Sequence, residues 1–208
     1  MKISARNQLK GTIQNVQTGA VNGVVTLKVG DAIVTADITN HSIEQLGLQP
    51  GKEAYALVKA TSVMVGTENG EISARNQLKG KIENIQEGAV NAVVTRALGD
   101  TRVKADITMD SVKNLGLSAG KEAYAIIKAS SVMFATDEVK GISARNQLKG
   151  TITEVKEGAV NGHVTIELED GNKIKGSITN EAIEQLGLKE GGEAVAIIKA
   201  TEVMVGVE

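Results

Sequence analysis

One set of polar residues occurs three times in the sequence. Ser4, Arg6, Asn7, Gln8 and Lys10 recur as Ser73, Arg75, Asn76, Gln77 and Lys79, and again as Ser143, Arg145, Asn146, Gln147 and Lys149. A lysine recurs with them, at Lys59, Lys128 and Lys199, each between a Val or Ile and an Ala. None of these groups is a carboxylate. Hydroxyl, guanidinium, ammonium and backbone N–H groups donate hydrogen bonds, and an all-donor set suits an anion, whose oxygens each accept several. Arg and Lys supply charge, while Ser and the N–H groups of small residues supply close uncharged contacts. A tetrahedral dianion is the natural guest. The same string also reads as a strand entry, with Asn and Gln bonded to backbone and Arg solvated.

Other chemistries are disfavoured by what is missing. No nucleophile–base pair and no paired carboxylates recur, so no catalytic residue is assigned and an enzyme is the least favoured class. The sequence has no Cys, which removes thiolate metal sites and disulfides. The two histidines, His41 and His163, stand at different places in the repeat and read as surface residues, so no bare-cation metal site is expected. Three aromatics (Tyr55, Tyr124, Phe134) and a net charge of −2 argue against nucleic acid, which asks for stacking platforms and a basic groove. No apolar run approaches the roughly 18–20 residues of a membrane span. No charged-then-apolar leader is seen, so a cytoplasmic location is expected. There is neither a helix-turn-helix segment nor a P-loop.

The repeat sets the organisation. Ile-Ser-Ala-Arg-Asn-Gln-Leu-Lys-Gly occupies residues 3–11, 72–80 and 142–150, with spacings of 69 and 70 residues. Gly-Ala-Val-Asn, Leu-Gly-Leu and Val-Met follow in each copy. The expected modules are 1–67, 71–136 and 141–208, joined by polar linkers that reach roughly 17–20 Å when extended. Within the first module, residues 8–16, 21–29, 32–38, 53–59 and 62–65 read as strands. Leu9, Ile13 and, after a slip, Val16 are the apolar positions of the first, and Gly30-Asp31 marks a hairpin. Residues 40–46 read as a helix of two turns, capped by Asn40 or Ser42 and stopped by Gly47. The fold class is therefore all-β: a small OB-like five-stranded barrel with one short helix, repeated three times. So small a core, built from Val, Ile, Leu and Ala, is expected to lean on contacts between modules.

Remaining positions have plainer readings. Met64, Met133 and Met204 read as core filler. Tyr55 and Tyr124 become Val195 in the third module, which points to packing. Glu44-Gln45 and Glu184-Gln185 read as the solvated helix face. Lys28, Arg96 and Glu167 are read as similar places with different charge.

The motifs together resemble the molbindin, or Mop, module over essentially the whole chain, three times. That resemblance implies an OB-like cytoplasmic protein that binds molybdate or tungstate as its ligand, with no organic cofactor. Related modules end molybdate-responsive regulators and transporter ATPases, so oxyanion sensing through a partner protein is the alternative to storage or buffering. The family gathers six modules, which three-module chains reach as a homodimer, with oxyanions at module interfaces. Carried over, one class of site falls on Ser4, Ala5, Arg6, Lys59 and the Ala60 backbone. The equivalents are Ser73, Ala74, Arg75, Lys128, Ala129 and Ser143, Ala144, Arg145, Lys199, Ala200. The motif half and the lysine half are implied to come from different modules. A second class is implied on the Gly-Ala-Val-Asn segments, at Ala20, Asn22, Ala89, Asn91, Ala159 and Asn161. Glu202, standing where Ser62 and Ser131 do, would weaken the third site if it pointed inward.

Overall fold

The structure, a computed structural model, describes residues 3–67 and 70–208. Met1 and Lys2, and Glu68 and Asn69 in the first expected linker, lie outside the described residues. The chain divides into two compact units, residues up to 73 with 88–90, and residues 74–87 with 91–208.

The first unit holds strands β1 (Asn7–Thr18), β2 (Asn22–Val29) and β3 (Ala32–Thr39), helix α1 (Asn40–Leu46) and strand β4 (Glu53–Val58). All pairings are antiparallel and the sheet order is β3-β2-β1-β4. Gly30 turns the β2–β3 hairpin at φ 59°. The slip in the apolar pattern of β1 is a β-bulge, where the register jumps from Ile13 to Asn15. Gly11 has a separate reason: a Cβ there would lie 2.4 Å from the Lys28 carbonyl oxygen, so β1 passes β2 only as glycine. The helix is capped by Thr39, whose side chain accepts from the Ser42 N–H, rather than by Asn40 or Ser42. Gly47 ends it in the left-handed region, as expected. Ile13, Val25, Leu27 and Ile43 form the buried centre.

The second unit repeats this order twice. The second module supplies β5 (Asn76–Glu87), β6 (Asn91–Leu98), β7 (Thr101–Thr108), α2 (Met109–Asn114), β8 (Glu122–Ile127) and β9 (Met133–Ala135). The third supplies β10 (Asn146–Glu157), β11 (Asn161–Glu167), β12 (Lys173–Thr179), α3 (Asn180–Gln185), β13 (Glu193–Ile198) and β14 (Val203–Gly206). The fifth strand of each module joins the other module's sheet. The orders are β12-β11-β10-β13-β9 and β14-β8-β5-β6-β7. The two modules are thus one exchanged pair with a continuous core, in which Phe134 and Val203 lie among residues of both. Phe134 fits because β12 carries Gly176, where a Cβ would sit 2.2 Å from its ring.

Several expectations change. Residues 62–65 of the first module are not a strand; Ala60–Ser62 form a 3₁₀ turn. In the exchanged strands Met133 and Met204 point outward and are exposed, and the apolar neighbours Phe134 and Val203 fill the core instead. Tyr55 is exposed, and the Tyr124 hydroxyl donates to Glu208. The Glu-Gln pairs of α1 and α3 are solvated as read. The charge comparison was one residue out of register. Lys28 matches Ala97 and Glu167, whereas Arg96 lies opposite Ile82, as Leu27 lies opposite Ile13 and Ile166 opposite Ile152.

Arg96 therefore occupies a core position. It is 1% exposed, its Nη2 donates to the Leu78 carbonyl at 2.6 Å, and its Nε and Nη1 are buried with no partner among the described residues. Burial pushes the guanidinium from 12.5 down to about 10, so it is still charged at neutral pH and its desolvation opposes folding there. Unsatisfied buried donors cost about 1–3 kcal/mol. Arg96→Leu, the residue type the first module uses, is expected to raise the unfolding midpoint in thermal melts. A lower midpoint would show that the guanidinium has a partner.

Candidate functional site

Register places the repeated residues. β1, β5 and β10 begin at the motif Asn, which pairs with the last residue of the neighbouring strand: Asn7 with Val58, Asn76 with Ile127, Asn146 with Ile198. The arginine comes one residue before that pair and the lysine one residue after it. Arg6 and Lys59, Arg75 and Lys128, and Arg145 and Lys199 thus flank one end of their own module's sheet. Each lysine leads into a 3₁₀ turn, Ala60–Ser62, Ala129–Ser131 or Ala200–Glu202.

Half of the motif is committed to structure. The Asn7, Asn76 and Asn146 amides donate to the carbonyls of Val58, Ile127 and Ile198 at 3.1–3.2 Å. In the second unit they also clamp the other module. Asn76 accepts from the Lys175 N–H at 2.7 Å and donates to its C=O at 2.9 Å, and Asn146 does the same to Lys104. Both amides are 1% exposed, so these bonds are made away from water. Gln8 and Gln77 donate to the carbonyls of Ala5 and Ala74, and Gln147 exchanges two bonds with the Val139 backbone. Lys10, Lys79 and Lys149 pair with Glu53, Glu122 and Glu193 at 2.9–3.2 Å, and each glutamate holds its ammonium above the usual lysine range.

What is left is the set that sequence and resemblance favour. Arg6, Arg75 and Arg145 are exposed, as are Lys59, Lys199, Ser4, Ser73 and Ser143, with Lys128 half-buried. The Ser73 hydroxyl accepts from the Val65 N–H. Ala74, Ala144, Ala129 and Ala200 are buried, whereas Ala5 is half-buried and Ala60 exposed. In the second unit Arg75 reaches the third module: its Nη1 lies 3.1 Å from both ring nitrogens of His163 on β11. The surface reading of His163 missed this, because the contact comes from another module. His41 is exposed as read. Glu202 turns to the other module too, accepting from the Ser131 hydroxyl at 2.8 Å.

The Gly-Ala-Val-Asn segments are tight turns. The Gly19 N–H donates to the Asn22 carbonyl at 2.8 Å, and Gly158 to Asn161 at 3.0 Å. Asn40 and Asn180 hold these turns by donating to the Gly19 and Gly158 carbonyls. Ala20, Ala89 and Ala159 are exposed at the tips; Asn22 and Asn91 are half-buried and Asn161 exposed. A groove of about 360 Å³ in the third module is bordered by Glu167, Glu169 and Glu193 beside Lys149, and its charge repels an anion. Among the described residues no cluster of His, Asp and Glu could hold a metal ion, and no helix is long and apolar enough to cross a membrane.

Comparison with known proteins fits the threefold repeat. The TOBE domain family matches residues 3–65, 72–134 and 142–205. The molybdenum transport protein ModE of Herbaspirillum seropedicae is 33% identical over 99% of this chain and 78% of its own length. The molybdenum-pterin-binding protein MopA of Rhodobacter capsulatus is 42% identical over 65% of this chain. The chain spans about half the length of MopA and of a like-named ModE from Azotobacter vinelandii. Among solved structures, the cytoplasmic molybdate-binding protein ModG, with molybdate bound, superposes with TM-score 0.65 at 44% identity, over 66% of this chain and 99% of its own.

Division of the motif into structural and uncommitted residues is directly testable. Asn76→Ala and Asn146→Ala are each expected to lower stability by about 1–3 kcal/mol in denaturant melts, as buried amide bonds are lost. Replacing Lys10, Lys79 and Lys149 together by Ala is expected to leave the midpoint nearly unchanged, because exposed ion pairs contribute little. Equal effects in the two sets would refute that division.

Proposed function

The chain belongs to the TOBE-domain family, and from that premise we propose that it binds molybdate, with tungstate as the close analogue, at donor sets built on Arg6, Arg75 and Arg145. The observation that carries this reading is the pairing of one arginine with one lysine at the same sheet end in all three modules. Neither residue is held by a carboxylate in any ion pair among the described residues. The relatives and the molybdate-bound neighbour support it by their names.

Binding is substitution of a hydration shell. The guanidinium offers a planar fork of N–H groups, and the ammonium adds a compact charge. Serine hydroxyls and the N–H groups around Ala5, Ala74, Ala144 and around Ala60, Ala129, Ala200 supply the short contacts. Selection over sulfate, alike in charge and shape, comes from the size of the donor cage. We place the sites at module interfaces, and the reach of Arg75 to His163 supports that placement. A homodimer gathers six modules. The role is intracellular storage or buffering of the oxyanion in the cytoplasm, without catalysis, organic cofactor, membrane or nucleic acid. A second reading, oxyanion sensing through a partner, is favoured by the match to ModE proteins longer than this chain.

Titration calorimetry separates these statements. Molybdate and tungstate are expected to release heat with high affinity and sulfate to bind at least tenfold more weakly. No molybdate heat, or equal sulfate affinity, would sink the proposal. Arg6→Ala, Arg75→Ala and Arg145→Ala combined are expected to abolish the main sites while leaving the fold intact by circular dichroism. A ligand that bridges modules stabilises the folded state by mass action, so saturating molybdate is expected to raise the melting temperature. An unchanged midpoint would count against interfacial sites.

A further inference from the structure

We propose that the open edge of β4 in the first module is completed by the first module of a second copy of this chain, the two copies exchanging residues 63–66. This deepens the homodimer reading and rests on it for the number of copies.

The second unit displays the completed arrangement. There β8 receives β14, with Val203 opposite Ile127 and Met204 opposite Ile126, and β13 receives β9, with Met133 opposite Ile197. In the first module the sheet ends at β4. The residues that the exchange covers elsewhere are open here: Val63 is 46% exposed where Val132 and Val203 are 2% and 1%, and Leu57 is 48% exposed where Ile197 is 4%. An apolar strand edge of this kind is a template for another strand. Asn7 makes the bond within its module, to Val58, but the clamp that Asn76 and Asn146 place on a sister strand has no counterpart among the described residues.

Side-chain size selects the occupant. Phe134 of the second module needs a glycine opposite, and finds Gly176. The matching first-module residue is Ala36, which like Ala105 leaves room only for a valine. The Val205 segment is already paired with β8, which leaves Val65, and within one chain there is no second first module to supply it. A second copy does. The predicted register sets Met64 opposite Leu57, Val65 opposite Ala56 and Gly66 opposite Tyr55. The pair is isologous, so equivalent residues meet at its axis. In the second unit Ser131 and Glu202 hold that place, in contact at 2.8 Å. Their equivalent is Ser62, so the two copies of Ser62 face each other.

The full chain has no cysteine, which makes the test simple. Sedimentation equilibrium without oxyanion is expected to give twice 21.7 kDa. Ser62→Cys, treated with oxidant or a short bis-maleimide, is expected to run as a covalent dimer on a denaturing gel, and Asp31→Cys on the distant hairpin is not. Leu57→Lys with Val65→Lys is expected to give a folded monomer. A wild-type monomer at tens of micromolar overturns both this edge and the dimer. A dimer that resists the lysine variant and leaves Ser62→Cys uncoupled overturns this edge alone.

Discussion

Backbone hydrogen bonding at a strand edge is the constraint on which the rest of the structure depends. A four-stranded curl of about 60 residues leaves one strand with unpaired N–H and C=O groups and with a row of apolar side chains that its own core cannot cover. The second and third modules solve this by exchanging their last strands. Burial then follows. Val132 and Val203 become almost inaccessible, and residues of two modules merge into one core. The asparagine clamps close the exchange, because each buried amide takes one backbone N–H and one C=O of the sister strand.

The same geometry sorts the repeated motif into roles. Residues inside the strand serve the fold: Asn clamps, Gln ties back to the local backbone, Lys pairs with Glu, and Gly lets a carbonyl pass. The residue just before the strand, the arginine, has no sheet task and stays in water beside the lysine of the neighbouring strand. A site made of such leftovers is electrostatic in character. Its charge is local and repeated, and a net charge of −2 hides it. Since Arg75 already touches the third module through His163, any guest of that arginine senses the pairing of modules as well.

Much of this was legible from residue types. Alternation, the Gly30-Asp31 turn and Gly47 marked strands, hairpin and helix end within a residue or two, because those signals act over a few neighbours. The slip before Val16 was already the bulge. Misreadings came where a distant partner decides. Met133 and Met204 looked like core by hydrophobicity, yet the exchanged strand turns its alternate residues inward and leaves methionine outside. Arg96 looked like a solvated charge until pairing with Ile82 put it on the inner face, one residue from where the charge comparison had set it.

Sequence alone determined the three modules, their all-β class and the all-donor chemistry of the repeated residues, since repetition and hydrogen-bonding capacity are properties of the chain itself. Tertiary structure decided which module each final strand belongs to, which motif residues are spent on the fold, and what Arg75 and Glu202 face. Those outcomes depend on contacts between residues some 70 to 100 positions apart, such as Asn76 with Lys175 and Ser131 with Glu202. No local pattern encodes them, because near-identical modules offer near-identical edges, and only differences in fit such as Gly176 beneath Phe134 choose between them.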